Sequence, residues 1–111
     1  MSSIKKELYY VFMGPDEEAI KTIKGILDGT VKGQLVLTNK KLFFYFRSNI
    51  SSDQKFIATH PFIKTAELKE GLIYSTLNIS TKKETFAISK INKKEARETY
   101  NLLNDIINNN N

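Results

Sequence analysis

Cysteine is absent from this 111-residue chain. That excludes disulfides, thiolate metal sites and cysteine nucleophiles together, and it suits a reducing compartment. Long apolar runs are absent too. The longest, Leu42-Phe43-Phe44-Tyr45-Phe46, has the length of a strand and falls far short of the roughly 20 residues that span a bilayer. The first residues lead into no signal-peptide core, so a cytoplasmic protein without a transmembrane segment is expected, in contact with a membrane only peripherally if at all. There is a single histidine, His60, set against Pro61. A metal site needs several ligands and a hydrolase needs its triad, and neither set is visible. No Gly-rich phosphate loop or dinucleotide fingerprint occurs. Asp16, Glu17 and Glu18 form an acidic run, which reads as a solvated strand entrance. These absences argue against an enzyme and against a bound metal or cofactor.

What remains is enough for one domain with a packed core: 41% of residues are hydrophobic, 11% are aromatic, and the net charge is +5. Lysines and acids are interspersed, and lysine dominates over the arginine preferred for bidentate phosphate contacts. The charge therefore marks a solvated surface better than a dedicated nucleic-acid face. The aromatic run lacks the glycine-punctuated pattern of RNA-binding sheets, and no nucleic acid partner is expected. Two Asn-Ile-Ser triplets, at Asn49 and Asn78, match a glycosylation pattern that carries no meaning in a cytosolic chain.

Along the chain, Ile4, Leu8, Val11 and Phe12 share one face of a short helix that Ser3 can cap and Gly14-Pro15 terminates. The next segment, 16–29, carries Ile20, Ile23, Ile26 and Leu27 at helical spacing, yet Gly25, Thr22 and the branched isoleucines favour a strand. From Gly33 onward the chain alternates. Residues 34–38 and 41–47 form a hairpin about Asn39-Lys40. Its second strand turns Leu42, Phe44 and Phe46 to one face and Phe43 and Tyr45 to the other. A polar loop over 48–53 follows. Strands are then expected over 55–60, 62–69, 72–80 and 84–89, with turns at Glu70-Gly71 and Thr81-Lys82-Lys83. Asn92-Lys93-Lys94-Glu95 has the form of a capping box, opening a final helix whose apolar face is Ala96, Tyr100, Leu103 and Ile107, widened by Leu102 and Ile106. With segment 16–29 taken as a strand, seven strands precede one amphipathic helix. Such a sheet closes or splits into packed layers, and the helix can cover the open end.

The hairpin Gly33-Gln34-Leu35-Val36-Leu37-Thr38-Asn39-Lys40-Lys41-Leu42-Phe43-Phe44 resembles the G-x-L-x-L-T-N-x-R-L-x-F stretch of the pleckstrin-homology-like (PH-like) superfamily, in particular the bacterial YokE-type and GRAM-like domains. Lys41 stands where arginine is usual. His60-Pro61-Phe62 is similar to the family's fifth-strand entrance, and Glu17-Glu18 to the glutamate before its first strand, which favours the strand reading of 16–29. The resemblance implies an α+β fold, mainly β: a barrel of seven antiparallel strands in two near-orthogonal sheets, capped by the C-terminal helix. Residues 16–108 would form this domain, 1–15 a helical extension and 109–111 a disordered tail.

It also implies a non-catalytic binding module. Protein–protein or self-association is the first expectation, through Ile4, Leu8, Val11 and Phe12 of the extension and Phe43 and Tyr45 of the doubly apolar strand. The alternative is peripheral binding to anionic lipid. Lipid-binding relatives use basic residues near the loop joining the first two strands, which here is 28–33. The corresponding candidates are Lys24, Lys32, Arg47, Lys55, Lys82 and Lys83.

Overall fold

The computed structural model describes residues 12–47 and 52–110, without the side chains of 52–57 and 110. Among these residues seven strands come first: β1 (Ala19–Leu27), β2 (Val31–Thr38), β3 (Lys41–Arg47), β4 (Ser52–Thr59), β5 (Ile63–Glu70), β6 (Tyr74–Thr81) and β7 (Thr85–Asn92). A 3-10 turn, His60–Phe62, links β4 to β5, and helix α1 (Lys93–Asn110) follows β7. The expected N-terminal helix, with Ile4, Leu8 and Val11, lies outside the described residues.

All seven strands belong to one curled sheet in the order β4-β3-β2-β1-β7-β6-β5. Every pairing is antiparallel. Two meanders, β1–β4 and β5–β7, meet along a short ladder in which Ile26 faces Ser89 and Leu27 faces Ile88. Asp28 extends that seam. Its N–H donates to the Ala87 carbonyl at 2.7 Å, and its carboxylate accepts the Ala87 N–H at 3.0 Å. The sequence expectation of two sheets thus corresponds to two halves of one continuous half-barrel.

Segment 16–29 is a strand from Ala19 onward, despite its helical spacing. Ile23 and Leu27 point into the core, while Ile20 is half exposed on the other side. Two faces with apolar residues, plus a bulge between Ala19 and Lys21, imitate a period of 3.6. Gly25 lies opposite Gly33 in the β1–β2 register. A Cβ on Gly25 would stand 2.6 Å from the Ile88 side chain, and one on Gly33 would stand 2.2 Å from the Tyr45 carbonyl oxygen and 2.7 Å from the Phe44 ring. The missing side chains let β7 and the Phe44 ring pack against the backbone of β1 and β2.

The main core fills the concave side. Leu35, Leu37, Leu42, Phe44, Leu77, Ile79, Ile88 and Ile91 meet Ala96 and Leu103 of α1 there. Helix α1 packs chiefly on β5, through the face expected from sequence. Its first turn is capped by the Asn92 side chain, which accepts the Glu95 N–H at 3.1 Å. A second, smaller cluster lies on the convex side. Val36, Phe43 and Tyr45 are buried beneath Phe12, Met13 and Ala19.

Candidate anion-binding face

The polar groups around the β2–β3 turn join it to the segment before β1. The Asn39 N–H donates to the Glu18 carbonyl at 3.1 Å, and the Asn39 side chain accepts the Glu18 N–H at 2.8 Å. The Thr38 hydroxyl is fully buried and accepts the N–H groups of Lys40 and Lys41 at 3.1 and 3.0 Å. Its own proton goes to the Glu17 carboxylate. Lys41 lies 3.7 Å from Glu17 and donates to the Phe12 carbonyl at 2.7 Å. Burial pushes the Glu17 carboxyl up, but the Thr38 hydroxyl, the Gly14 N–H and the Lys41 and Lys40 charges outweigh it and hold the group below its ordinary value. The His60 Nε2 lies 2.8 Å from the Thr38 carbonyl. A carbonyl only accepts, so Nε2 carries the proton in this tautomer. The family-like Thr38-Asn39 pair, the acidic run and the lone histidine thus hold the turn and the chain entrance together. Among the described residues, no group of three His, Asp or Glu side chains is placed to hold a metal ion.

A different face carries the charge. Residues of β1, β2 and β3 that alternate away from the core line an open depression of about 460 Å³, among them Lys24, Ile26, Lys32, Gln34, Tyr45 and Arg47. Lys90 of β7 closes one side. Strand register explains the convergence: Lys24 faces Gln34, Ile26 faces Lys32, and Gln34 in turn faces Tyr45 on β3. Among the described residues, no carboxylate lies within ion-pair distance of Lys24, Lys32, Arg47 or Lys90. Ile26, Tyr45 and Phe46 add apolar wall.

Lys90 arrives by a bulge. Ser75 pairs with Ile91 and Leu77 with Ile88, so β7 has one residue more than β6 at that point. Lys90 takes φ 59°, a left-handed value that disfavours a non-glycine residue. The bulge aims its ammonium over the Tyr74 ring, 5.8 Å from the centroid, and places it between the depression and a second one lined by Leu72, Ile73 and Tyr74.

Of the basic residues expected from sequence, Lys24, Lys32 and Arg47 come together. Lys82 and Lys83 do not line this depression; Lys82 instead stands 4.9 Å over the Phe62 ring, beside the 3-10 turn. Lys55 is paired through its backbone with Phe44, and its side chain lies outside the described residues. Sequence reading missed Lys90 because the last strand was expected to end at Ser89. The three-residue step from Ile88 to Ile91, both buried, is the signal of a bulge in an otherwise alternating strand. On the convex side Phe43 and Tyr45 face away from the main core, as expected, and Phe12 packs over them, its ring centroid 6.2 Å from Phe43 and 5.9 Å from Tyr45. They are covered by the chain itself.

The curled seven-stranded sheet with its terminal helix is matched at two levels. A family model described as bacterial PH domain covers residues 13–105. The chain belongs to that family. Among solved structures it is similar to the pleckstrin homology domain of USP37, with a TM-score of 0.61 and 20% identity over 79% of this chain and 97% of that one. At that identity the likeness concerns the fold alone. No curated protein matches the chain. PH domains generally serve as non-catalytic binding modules. No helix among the described residues is long and apolar enough to cross a membrane.

Proposed function

We propose that this bacterial PH domain is a non-catalytic module that binds a phosphate-bearing anionic membrane surface through the convex face of β1–β3. The observation that carries the reading is the convergence of Lys24, Lys32, Arg47 and Lys90 on one open depression, with no described carboxylate to neutralise them. Like charges converging on one depression repel one another, and an anion relieves that repulsion. The self-association reading draws less support, because the strand residues offered for it, Phe43 and Tyr45, are already packed beneath Phe12.

The test is sedimentation with phosphatidylcholine vesicles made with and without phosphatidylserine, at low and high salt. The native protein should bind the anionic vesicles and release them as salt rises. Lys24→Ala, Lys32→Ala and Arg47→Ala combined should weaken binding by on the order of 100-fold, from about 1 kcal/mol per juxtamembrane cation. Equal binding to neutral and anionic vesicles, or none to either at low salt, sinks the reading.

A further inference from the structure

The β5–β6 turn is built against the usual chemistry of turns. Gly71 donates its N–H to the Tyr74 carbonyl at 2.9 Å, leaving Leu72 and Ile73 as the two residues at the tip. Such positions ordinarily hold Gly, Asn, Asp or Ser. Here Leu72 is 99% exposed, Ile73 74% and Tyr74 50%. Three consecutive exposed apolar residues add nothing to this domain's core, and a run of that kind is an error in a soluble surface unless it has a use.

The surroundings say what the use is. The one carboxylate in the turn's flank, Glu70, is hydrogen-bonded and ion-paired to Arg97 of α1. Lys93 adds a second positive charge near the same carboxylate. On the other flank Lys90 sits over the Tyr74 ring and also lines the cationic depression. The tip is therefore a convex apolar point with an aromatic residue at its base and cations behind it. A protruding point fits a fluid medium that closes around it. Apolar residues at the acyl boundary, tyrosine at the headgroup level and lysine on lipid phosphate is the vertical order of a bilayer interface.

We propose that Leu72 and Ile73 insert into the headgroup–acyl boundary of an anionic bilayer, with Tyr74 at the interface and Lys90 on a lipid phosphate. This rests on the membrane reading above and adds the mode of anchoring. It also accounts for the left-handed Lys90, whose bulge turns its ammonium toward both the tip and the depression.

The chain contains no tryptophan, so Leu72→Trp gives a single reporter at a fully exposed position. Its emission should shift to shorter wavelength with phosphatidylserine-containing vesicles and be quenched by lipids brominated high on the acyl chain. Leu72→Ser with Ile73→Ser, both on exposed side chains, should lower affinity for those vesicles by about tenfold or more while leaving thermal stability unchanged. Vesicle binding that persists with an unshifted, unquenched tryptophan in Leu72→Trp and an undiminished serine variant overturns insertion and leaves the charge-based reading standing. A shift that grows with protein concentration without lipid means that a second copy covers the tip, and it overturns the proposal. Failure of the native protein to bind anionic vesicles removes both readings.

Discussion

Thr38→Val is a near-isosteric change at the point where the β2–β3 hairpin grips the chain entrance. It leaves the packing of a fully buried side chain almost intact and deletes only the hydroxyl. Three interactions go with it: the bond to the Glu17 carboxylate and the two accepted from the Lys40 and Lys41 N–H groups. A hydrogen bond to a charged group contributes about 1.5–3 kcal/mol net, and neutral ones about 0.5–1.5 each. Lys40 is exposed, so water can replace part of the loss there. The expected cost is about 3 kcal/mol, a large share of the roughly 5–15 kcal/mol that holds a domain of this size. In thermal unfolding this corresponds to a fall of roughly 10–15 °C.

Glu17→Gln should cost about 2 kcal/mol for the same reason, because its side chain is only 3% exposed and its partners expect a carboxylate. The double variant should cost less than the sum by about 1–2 kcal/mol, since the two residues share one bond. The pH dependence has a definite sign. The folded Glu17 pKa lies below its ordinary value, so its contribution is complete above the unfolded pKa of about 4.3 and is lost as pH falls through the folded value. The gap between native protein and Glu17→Gln, measured by urea unfolding, should therefore be widest near pH 6 and narrow in acid. A Thr38→Val cost under about 1 kcal/mol, or a Glu17→Gln gap constant between about pH 6 and pH 3, would refute the argument that this network clamps the chain entrance.

Two core substitutions test the packing that shapes the face. Gly33→Ala forces a Cβ against backbone as well as the Phe44 ring, so chemical denaturation should show a loss of about 2 kcal/mol or more. Leu103→Ala empties a fully buried position between α1 and the sheet. A loss of about 2–5 kcal/mol is expected, and one below about 1 kcal/mol would mean that the helix is not seated on the core.

The elements readable from sequence are those in which a local signal and a tertiary need coincide. The β2–β3 hairpin has two short strand-forming runs, 34–38 and 41–47, on either side of the turn residues Asn39-Lys40, and the same Asn39 is the residue that the chain entrance requires. Helix α1 has both its cap and its stripe. In segment 16–29 the β-branched residues favour a strand but the resemblance to a family decides it, because apolar residues on both faces and the bulge between Ala19 and Lys21 imitate a helical period. Strand ends shift where bulges intervene: β7 runs to Asn92 and not to Ser89, since Lys90 breaks the alternation. The β5–β6 turn expected at Glu70-Gly71 extends to Leu72 and Ile73, which the sequence assigns to the following strand because their chemistry is strand-like while their positions are those of a turn.

Alternation tells which residues share a face but not what covers that face. Val36 and Phe43 lie on the same convex side as Lys24, Ile26 and Lys32, yet the first pair is buried and the second group lines an open depression, with Tyr45 at the boundary, packed under Phe12 and lining the depression as well. The boundary between them is set by where Phe12 and Met13 lie, which depends on Lys41 holding the Phe12 carbonyl and Glu17 holding Thr38. The residues most like the family's motif therefore act on the candidate site indirectly. They fix Phe12 and Met13 over one part of the convex face, beside the cationic part. The motif identifies the fold, whereas the candidate surface is shaped by a lysine in a bulge, traced in the sequence only by the three-residue step from Ile88 to Ile91, and by where Phe12 and Met13 lie, which has no local pattern in the sequence.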